Sequence, residues 1–323
     1  VTLAVGVSQM AKRNAIVKRL HSVETLGSTT VICSDKTGTL TLNQMTAQHL
    51  TIGDLRVEIS GSGYGSEGAL TLEDGGAAGD LSARDDVARA VEVGALCNDA
   101  AVREGALVGD PTEGALVVLA TKAGLDVDAR RLASPRIGEV PFDSASKYMA
   151  TFHADRDEVV CCVKGAPDRL LGRCADMADG SGARVAIDDG VRAGRLAEND
   201  RLAGTGLRVL ALASRRYPAA EVELASDGTV VDGERYVDGL TLDGLVGIVD
   251  PPRDEARAAI ALCHQAGIEV KMITGDLAST AGAIARSLGI EGDVVSGEDL
   301  DRFDDAELAR RIDSIGVCAR VSP

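Results

Sequence analysis

Short apolar runs alternate with amphipathic segments over residues 240–323. In two of these segments, apolar residues recur at the three- and four-residue spacing of a buried helix face. These residues are Ala256, Ala259, Ile260 and Cys263 in the first segment and Ala281, Ile284, Ala285 and Leu288 in the second. The apolar run 268–273 lies between them and is typical of a buried strand. Strands that alternate with helices predict a parallel, doubly wound α/β sheet.

Another buried strand is predicted at residues 30–33, and it leads directly into a polar, Gly-containing turn that includes Asp35. Ligands bind outside the carboxyl ends of the strands in such sheets, so Asp35 is a candidate nucleophile. A carboxylate that attacks a phosphoryl group needs positive charge nearby, which Lys36 and a Mg²⁺ ion would supply. Thr37, Gly38 and Thr39 offer hydroxyl and backbone N–H groups to the phosphate oxygens.

The segment between these regions has a different pattern. Residues 52–79 are rich in Gly, Ser and acidic residues and are interpreted as a linker. Beyond them, helices are predicted at 85–97, from the turn 109–112 to residue 120, and at 192–202, and strands at 137–142, 148–153, 159–163 and 207–212. The sequence therefore predicts a mixed α/β domain at 46–239. It is inserted into a parallel-sheet domain formed by 29–45 and 240–323, which a lead-in at 1–28 precedes.

Composition narrows the function classes. A chain of 323 residues can form about two domains, and its formal net charge of -16 repels nucleic acid, so no nucleic-acid partner is expected. Aromatic residues make up only 2%, so the cores must consist of Val, Leu, Ala and Ile. None of the seven cysteines lies in a CxxC spacing, which predicts reduced, buried thiols in a cytosolic compartment and no zinc site.

The pentapeptide DKTGT, residues 35–39, follows an apolar strand and resembles the signature of the P-type ATPases, ion pumps that pass through an aspartyl-phosphate. The stretch DPPR at 250–253 is similar to a second stretch of this family. The resemblance implies a haloacid dehalogenase-like phosphorylation domain at 29–45 and 240–323, incomplete at its C-terminus, and a nucleotide-binding domain at 46–239. It also implies that Asp35 accepts the γ-phosphoryl group of ATP.

A second turn, Thr274-Gly275-Asp276, follows one predicted strand and opens a predicted helix. Backbone N–H groups at a helix start bind anions, and the alternative is a glycine turn whose Asp caps the helix. In the resembled family this turn contacts the transferring phosphate, and Arg320 matches a further basic position near the phosphorylation site. The resemblance also implies Asp35 and the Thr37 backbone carbonyl as Mg²⁺ ligands, a set small enough to bind the ion weakly.

Several residues of the inserted domain match nucleotide-binding positions of the resembled pumps. Phe142, in the segment PFDSASK, corresponds to the aromatic residue that stacks on adenine. The other matches are the basic residues Lys147, Lys164 and Arg208 and the polar pair Thr112 and Glu113. Taken singly, Phe142 could belong to a hydrophobic core, and each lysine could be a solvated surface residue. Because all six residues occur in the same order along the chain as in the resembled family, together they imply ATP as the ligand. Two positions differ from the resembled family: Ser144 stands where some members have a basic residue, and Leu277 stands where a polar residue is common.

Residues 1–7 are apolar and precede four basic residues, Lys12, Arg13, Lys18 and Arg19. This pattern is typical of the cytoplasmic end of a membrane helix, although an ordinary N-terminal segment has it too. The resemblance then implies a parent pump in the cell membrane, with this segment on the cytoplasmic side. The segments PFDSASKYM and KGAP are similar to the calcium-type branch, which implies Ca²⁺ as the transported cation.

Two other functions remain open. A soluble phosphatase of the haloacid dehalogenase-like fold would carry an acid two residues after its nucleophile, whereas Thr37 stands there and cannot act as that acid. A nucleotide-binding module without catalysis is the third candidate. The chain ends before the family's later GDGxND segment, which supplies a second aspartate for Mg²⁺. We therefore expect the chain alone to bind nucleotide but to be catalytically impaired.

Overall fold

The computed structural model describes residues 2–12, 15–18, 21–75 and 81–321. The chain forms two compact units: unit 1 comprises Val1–Thr41 and Pro252–Pro323, and unit 2 comprises Leu42–Pro251. The strands are β1 Val31–Asp35, β2 Thr46–Ile52, β3 Leu55–Ile59, β4 Leu70–Leu72, β5 Ala101–Arg103, β6 Ala106–Val108, β7 Arg136–Val140, β8 Tyr148–Asp155, β9 Glu158–Gly165, β10 Cys174–Ala178, β11 Arg184–Ala186, β12 Arg208–Pro218, β13 Leu240–Val249, β14 Glu269–Ile273, β15 Asp293–Ser296 and β16 Ile315–Ala319. The helices are α1 Thr2–Lys12, α2 His21–Gly27, α3 Asp85–Leu96, α4 Pro111–Lys122, α5 Val127–Ala133, α6 Pro167–Leu170, α7 Asp189–Gly204, α8 Asp254–Gln265, α9 Ala278–Leu288, α10 Gly297–Leu300 and α11 Asp305–Arg311.

Unit 1 contains a parallel sheet whose described strands lie in the order β1-β14-β16-β15. Residue Asp35 pairs with Ile273, so β1 and β14 end at the same edge of the sheet. Helix α9 buries the predicted face of Ala281, Ile284, Ala285 and Leu288. Helix α8 buries only Ile260, so the wider apolar face predicted for it is wrong.

Unit 2 is built around a larger, mainly antiparallel sheet. Its described strands follow the order β4-β3-β2-β13-β12-β9-β8-β7, and β10 joins it by pairing in parallel with β13. Alternate residues of β12 enter two separate cores, since Leu212 packs in one and Ala211 and Ala213 pack in the other. Successive side chains of a strand point to opposite faces, so each face of the sheet has its own core.

Strand β13 lies in unit 2, whereas the sequence pattern predicted it as part of the parallel-sheet domain. It pairs antiparallel with β2 and β12, and all ten of its residues are buried. The compact units divide at 41/42 and 251/252 instead of at the predicted 45/46 and 239/240. A largely apolar run predicts a strand that is covered on both faces, but it does not reveal which sheet the strand joins.

The segment interpreted as a linker also belongs to this sheet. Strand β2 reaches Ile52, and β3 and β4 extend the sheet to its edge, with Val57 and Ile59 buried. Gly53, with φ of 55°, makes the turn between β2 and β3, where an added Cβ would lie 2.2 Å from the Asp179 backbone. Only residues 76–79 of the predicted linker lie outside the described residues.

The N-terminal segment forms helices α1 and α2, and no helix in the described ranges is long and apolar enough to cross a bilayer. Val1, Arg13 and Arg19 of the predicted membrane-exit pattern lie outside the described residues. The seven cysteines are all free thiols. Cys97, Cys161, Cys162 and Cys174 are buried, but Cys33 is exposed and Cys263 and Cys318 are partly exposed, so the prediction of uniformly buried thiols is wrong.

Candidate functional site

The turn after β1, which we call the Asp35 turn, comprises residues 35–41. It closes through a hydrogen bond from the Thr41 N–H group to the Lys36 carbonyl, 3.1 Å long. Gly38 has φ of 72°, a left-handed conformation that glycine adopts without strain. Asp35, Thr37, Gly38 and Thr39 are exposed, whereas Lys36 and Leu40 are buried. The turn therefore presents its carboxylate and its small polar residues to solvent.

Lys36 points away from solvent and pairs with the second predicted turn. Its side chain is 6% exposed, and its Nζ lies 2.5 Å from Oδ2 of Asp276. A buried ammonium is stable only when it is paired, and Asp276 supplies a partner. This ion pair joins the carboxyl ends of β1 and β14, so the structure brings Asp35, Lys36 and Asp276 into one cluster.

The Thr274-Gly275-Asp276 turn directly precedes α9. Leu277 is the N-cap, with φ of -61° and ψ of 145°, and α9 begins at Ala278. The turn therefore lies at the helix start, as predicted, but Asp276 is not the residue that caps α9. Buried Thr274 instead orders the turn, because its Oγ1 accepts a hydrogen bond of 3.1 Å from the Asp276 N–H group.

Arg320 lies beside this turn through its backbone. Its N–H group donates to the Asp276 carbonyl at 3.0 Å, and the next residue, Val321, donates to the Thr274 carbonyl at 3.1 Å. Arg320 has φ of 52°, an uncommon conformation for a residue with a side chain. The segment that follows β16 is thereby held at the edge of the sheet where β1 and β14 end.

Arg253 also holds the Asp35 turn, although the sequence marks it only as part of the matching stretch DPPR at 250–253. Its backbone N–H group donates to the Leu40 carbonyl at 2.9 Å. Its Nε donates to the Thr41 carbonyl at 2.9 Å and its Nη2 to the Gly38 carbonyl at 3.3 Å. The local pattern gave no signal for these contacts, because they join residues more than 200 positions apart.

The donor set at the Asp35 turn fits Mg²⁺ only in part. The carboxylate of Asp35 and the backbone of Thr37 are both at an exposed position. Within the described ranges no group of three or more His, Cys, Asp or Glu side chains is placed to hold a metal ion. Mg²⁺ is commonly bound by one or two carboxylates together with waters and substrate phosphates. The Asp35 carboxylate and the Thr37 carbonyl therefore suit a site at which waters and a substrate phosphate supply the remaining ligands.

A cavity of about 540 Å³ in unit 2 brings together all six residues that matched nucleotide-binding positions. We call it the α4 cavity because the N-terminal end of α4 forms one wall. Its lining includes Thr112, Glu113, Phe142, Lys147, Lys164 and Arg208. Apolar surface comes from Leu116, Met149 and Leu210. A volume of this size is typical of small-molecule sites, which combine apolar walls with a few polar groups.

A buried ion pair lies in the wall of the α4 cavity. The Lys164 ammonium is 2.5 Å from Oε1 of Glu113 and 2.5 Å from the Cys97 carbonyl oxygen. Oε2 of Glu113 in turn accepts the Asp99 N–H group at 3.0 Å. Both charged side chains are therefore satisfied, and the pair fixes the end of β9 to the start of α4.

Phe142 is 62% exposed at the mouth of the α4 cavity, so it is not a core residue. The turn that carries it is ordered by Asp143, whose Oδ1 accepts the N–H groups of Ala145 at 2.9 Å and Ser146 at 3.0 Å. These bonds lower the pKa of the Asp143 carboxyl. Lys147 then adopts φ of 58°, and its N–H group donates to the Asp143 carbonyl at 2.7 Å.

Two further features shape the α4 cavity. Nη1 of Arg208 lies 3.4 Å from Oγ1 of Thr112, which joins the start of β12 to α4. Gly165 ends β9, and a Cβ added there would lie 2.7 Å from the Lys147 carbonyl oxygen. The backbone strands approach so closely at this point that only glycine fits.

The family model described as P-type ATPase, cytoplasmic domain N, matches residues 86–255, more than half of the chain. The chain belongs to the P-type ATPase family. The match covers most of unit 2, including every residue named above for the α4 cavity. The predicted membership of this family is thereby confirmed.

Curated relatives match the chain over its entire length. It is 44% identical to Cation-transporting ATPase pma1 of Synechocystis over 336 residues and 41% identical to Probable cation-transporting ATPase F of Mycobacterium tuberculosis over 334 residues. It is 40% identical to human Calcium-transporting ATPase type 2C member 1 over 332 residues. Each match covers all of this chain but only 36%, 36% and 33% of the respective relative. The chain therefore spans about a third of the length of these relatives.

Proposed function

We propose that this chain is the nucleotide-binding and phosphoryl-accepting part of an ATP-driven cation pump. In this proposal ATP binds in the α4 cavity of unit 2, and Asp35 of unit 1 receives the γ-phosphoryl group. A carboxylate oxygen of Asp35 attacks the γ-phosphorus, the bond to the β–γ bridging oxygen breaks, and ADP leaves with the electron pair. Family membership supports the pump, and the two sites support the division of roles.

One observation carries the nucleotide half of the proposal. Six residues scattered between positions 112 and 208 line a single cavity of about 540 Å³. An exposed ring at its mouth, Phe142, can stack on a purine, and base–aromatic stacking contributes about 1–3 kcal/mol. Lys147 and Arg208 supply positive charge for phosphates, which a chain of net charge -16 must place locally.

The Asp35 turn supports the phosphoryl-accepting half. The carboxylate is exposed at the carboxyl end of a parallel strand, the usual location of ligands in such sheets. We propose that unit 1 is a haloacid dehalogenase-like, doubly wound domain, that Thr274, Gly275 and Arg320 lie near the transferred phosphate, and that the Lys36–Asp276 pair positions this edge. Thr37, two residues after Asp35, cannot act as a general acid toward the phosphoenzyme, which favours a long-lived aspartyl-phosphate over rapid phosphatase turnover.

Mg²⁺ is the metal cofactor we propose. The Asp35 carboxylate and the Thr37 carbonyl would hold it, and the ion would neutralise charge on the phosphate during transfer. The relatives are described as cation-transporting ATPases, one of them as calcium-transporting. We therefore propose a membrane-bound parent pump, with this segment on its cytoplasmic side and Ca²⁺ as its transported cation.

The proposed ATP site is tested by calorimetric titration of ATP into the chain and into its Phe142→Ala variant. Loss of the stacking energy should weaken ATP binding roughly 5- to 150-fold. Phe303→Ala is the matched control, because Phe303 lies in unit 1 against Arg311, and its removal should leave ATP affinity unchanged.

Unchanged affinity in Phe142→Ala would contradict the assignment of the α4 cavity as the ATP site. An equal loss in Phe303→Ala would show that the effect is one of stability and not of stacking. ATP binding with no transfer to Asp35 in the parent protein would instead favour a nucleotide-binding module without catalysis.

A further inference from the structure

Residues 97–100, which join α3 to β5, contact the wall of the α4 cavity from outside it. We call them the 97–100 loop. In the described part of the chain, none of the four residues belongs to the cavity lining. The loop instead contacts Glu113 and Lys164, the buried ion pair of that wall. The proposed pump reaction assigns no role to this loop.

Both charged residues of the buried pair have a second partner on the 97–100 loop. The Cys97 carbonyl accepts a hydrogen bond of 2.5 Å from Nζ of Lys164. The Asp99 N–H group donates to Oε2 of Glu113 at 3.0 Å, while Oε1 faces the ammonium. A displacement of the loop would therefore move the Glu113 carboxylate and change its contact with Lys164.

Asn98 ties the loop to the end of one helix and the start of another. Its side chain is 2% exposed. Nδ2 donates to the Gly94 carbonyl of α3 at 3.0 Å and to the Glu113 carbonyl of α4 at 2.9 Å. Oδ1 accepts the Ala100 N–H group at 2.8 Å. Because an amide side chain has two N–H donors and one carbonyl oxygen, every polar group of Asn98 has a partner.

Arg131 of α5 holds the same loop through backbone carbonyls. Its Nε and Nη2 donate to the Ala95 carbonyl at 3.1 and 2.9 Å. Its Nη1 donates to the Ala100 carbonyl at 3.0 Å, and its Nη2 lies 3.3 Å from the Asn98 carbonyl oxygen. The last carbonyls of a helix have no intrahelical partner, so Arg131 caps the end of α3 and fixes the loop that follows it.

The loop also packs closely against the residue that precedes the N-cap of α4. Gly109 has φ of 120°, and a Cβ added there would lie 2.8 Å from the Ala100 Cα atom. The backbone of the loop is therefore in direct contact with the start of α4. That helix carries Thr112 and Glu113 into the cavity lining.

A buried asparagine stabilises a fold wherever its partners lie, because unpaired backbone groups are costly. The partner of Asn98 gives it a second consequence, since Glu113 carries both the carbonyl that Asn98 holds and a carboxylate of the cavity lining. Ligand sites require side chains that are locked in place by supporting hydrogen bonds. The 97–100 loop supplies such support to the α4 cavity.

We propose that Asn98 and Arg131 are positioning residues for ATP binding, which act by fixing the Glu113 carboxylate in the wall of the α4 cavity. This role rests on the proposed function of that cavity as the ATP site. Asn98 sets the loop against α4, and Arg131 holds the loop at the end of α3. Neither residue lines the cavity, so both act through Glu113 and not on the nucleotide itself.

The test is a double-mutant cycle on the whole chain, with ATP affinity measured by calorimetric titration. Asn98→Ala should weaken ATP binding about tenfold, because the loop no longer holds Glu113. In the Glu113→Gln background the same change should alter ATP affinity by less than about twofold, because the group on which Asn98 acts is already changed. Asn199→Ala is the matched control: Asn199 is a partly exposed residue of α7 outside the cavity lining, and its loss should leave ATP affinity unchanged.

Arg131 provides a second route if Asn98→Ala fails to fold. Arg131→Ala should weaken ATP binding about tenfold, and Arg131→Lys, which keeps a charged donor, should recover at least about threefold of that loss. Denaturant unfolding identifies the conditions in which each variant is folded, and ATP affinities are compared under those conditions.

Unchanged ATP affinity in folded Asn98→Ala or in folded Arg131→Ala would overturn the proposal, since the residue would then contribute to stability alone. An equal loss from Asn98→Ala in the wild-type and Glu113→Gln backgrounds would also overturn it, because Asn98 would not act through Glu113. Absence of ATP binding by the wild-type chain would overturn the proposed function and this inference with it. The two failures are therefore distinguishable.

Discussion

The Asp35 turn of unit 1 and the α4 cavity of unit 2 are constructed in different ways. The turn is contiguous: it closes on itself through the Thr41 N–H group, and Arg253 holds three of its carbonyls. The cavity collects side chains from α4, the turn before β8 and the ends of β9 and β12. Its central contact is the buried pair of Lys164 and Glu113.

This difference determines what a substitution can do. A change in the Asp35 turn leaves its backbone bonds in place, so it should alter chemistry more than stability. A change in the α4 cavity disturbs contacts between distant parts of unit 2, so it should alter stability and binding together. The following predictions test this contrast, starting with the largest expected effect.

Lys164→Ala should have the largest effect on stability. It removes the ammonium and leaves the Glu113 carboxylate, whose side chain is 13% exposed, without its ion-pair partner. Breaking a buried ion pair costs about 3–5 kcal/mol, so denaturant unfolding should show a loss of this size. The double variant Lys164→Met with Glu113→Gln should recover much of it, because no unpaired charge remains. A loss below about 1 kcal/mol would contradict the structural role of this pair.

Glu198→Gln provides a comparison within unit 2 at a residue outside the α4 cavity lining. Hydrogen bonds and charge from Arg201, and then from Arg56, lower the pKa of Glu198 to about 2, against 4.5 ordinarily. Because the folded-state pKa is depressed, the carboxylate contributes its full stabilisation above pH 4.5, about 2–3 kcal/mol, and loses it as the pH falls toward 2.

Unfolding curves of wild type and Glu198→Gln at pH 7, 4 and 3 check this prediction. The stability difference should be largest at pH 7 and shrink as the pH falls. ATP affinity of the folded variant should match wild type, which separates loss of stability from loss of the Lys164 contact. A difference that grows toward low pH would contradict the assigned sign.

Arg253→Ala should have a smaller effect, confined to unit 1. It removes two side-chain hydrogen bonds to the Asp35 turn but keeps the backbone bond to Leu40. Each bond contributes about 0.5–1.5 kcal/mol or more when the donor is charged, so unfolding should show a loss of about 1–3 kcal/mol. ATP affinity should not change. Arg257→Ala, an exposed arginine of α8, is the matched control, and an equal loss there would contradict a specific role for Arg253.

Local chemistry was easier to predict than long-range pairing. The alternation of strands and helices after residue 250 predicted β14 and α9, and the DKTGT segment predicted a carboxylate at a strand end. The sheet to which β13 belongs could not be predicted, because a strand that is covered on both faces suits either sheet. Leu277 shows a further limit: its extended conformation moves the start of α9 beyond the Thr274-Gly275-Asp276 turn, and no propensity indicates this.

The two candidate sites differ in the same respect. The contiguous DKTGT motif was enough to predict Asp35 as a site residue. The pairing of Lys36 with Asp276 is visible only in the folded structure, because the two residues are 240 positions apart in the sequence. The residues of the α4 cavity were predicted from family order, and their composition alone did not separate Phe142 from a core residue.

The central claim is that Asp35 accepts a phosphoryl group from ATP bound by the same chain. It is tested most directly by incubating the full-length parent protein with γ-³²P-labelled ATP and Mg²⁺ and mapping the acid-stable, hydroxylamine-sensitive label. We predict label on Asp35 in wild type and in Asp54→Asn, an exposed carboxylate control, and no label in Asp35→Asn, which should still bind ATP. Hydroxylamine-sensitive label that persists in Asp35→Asn would contradict the account.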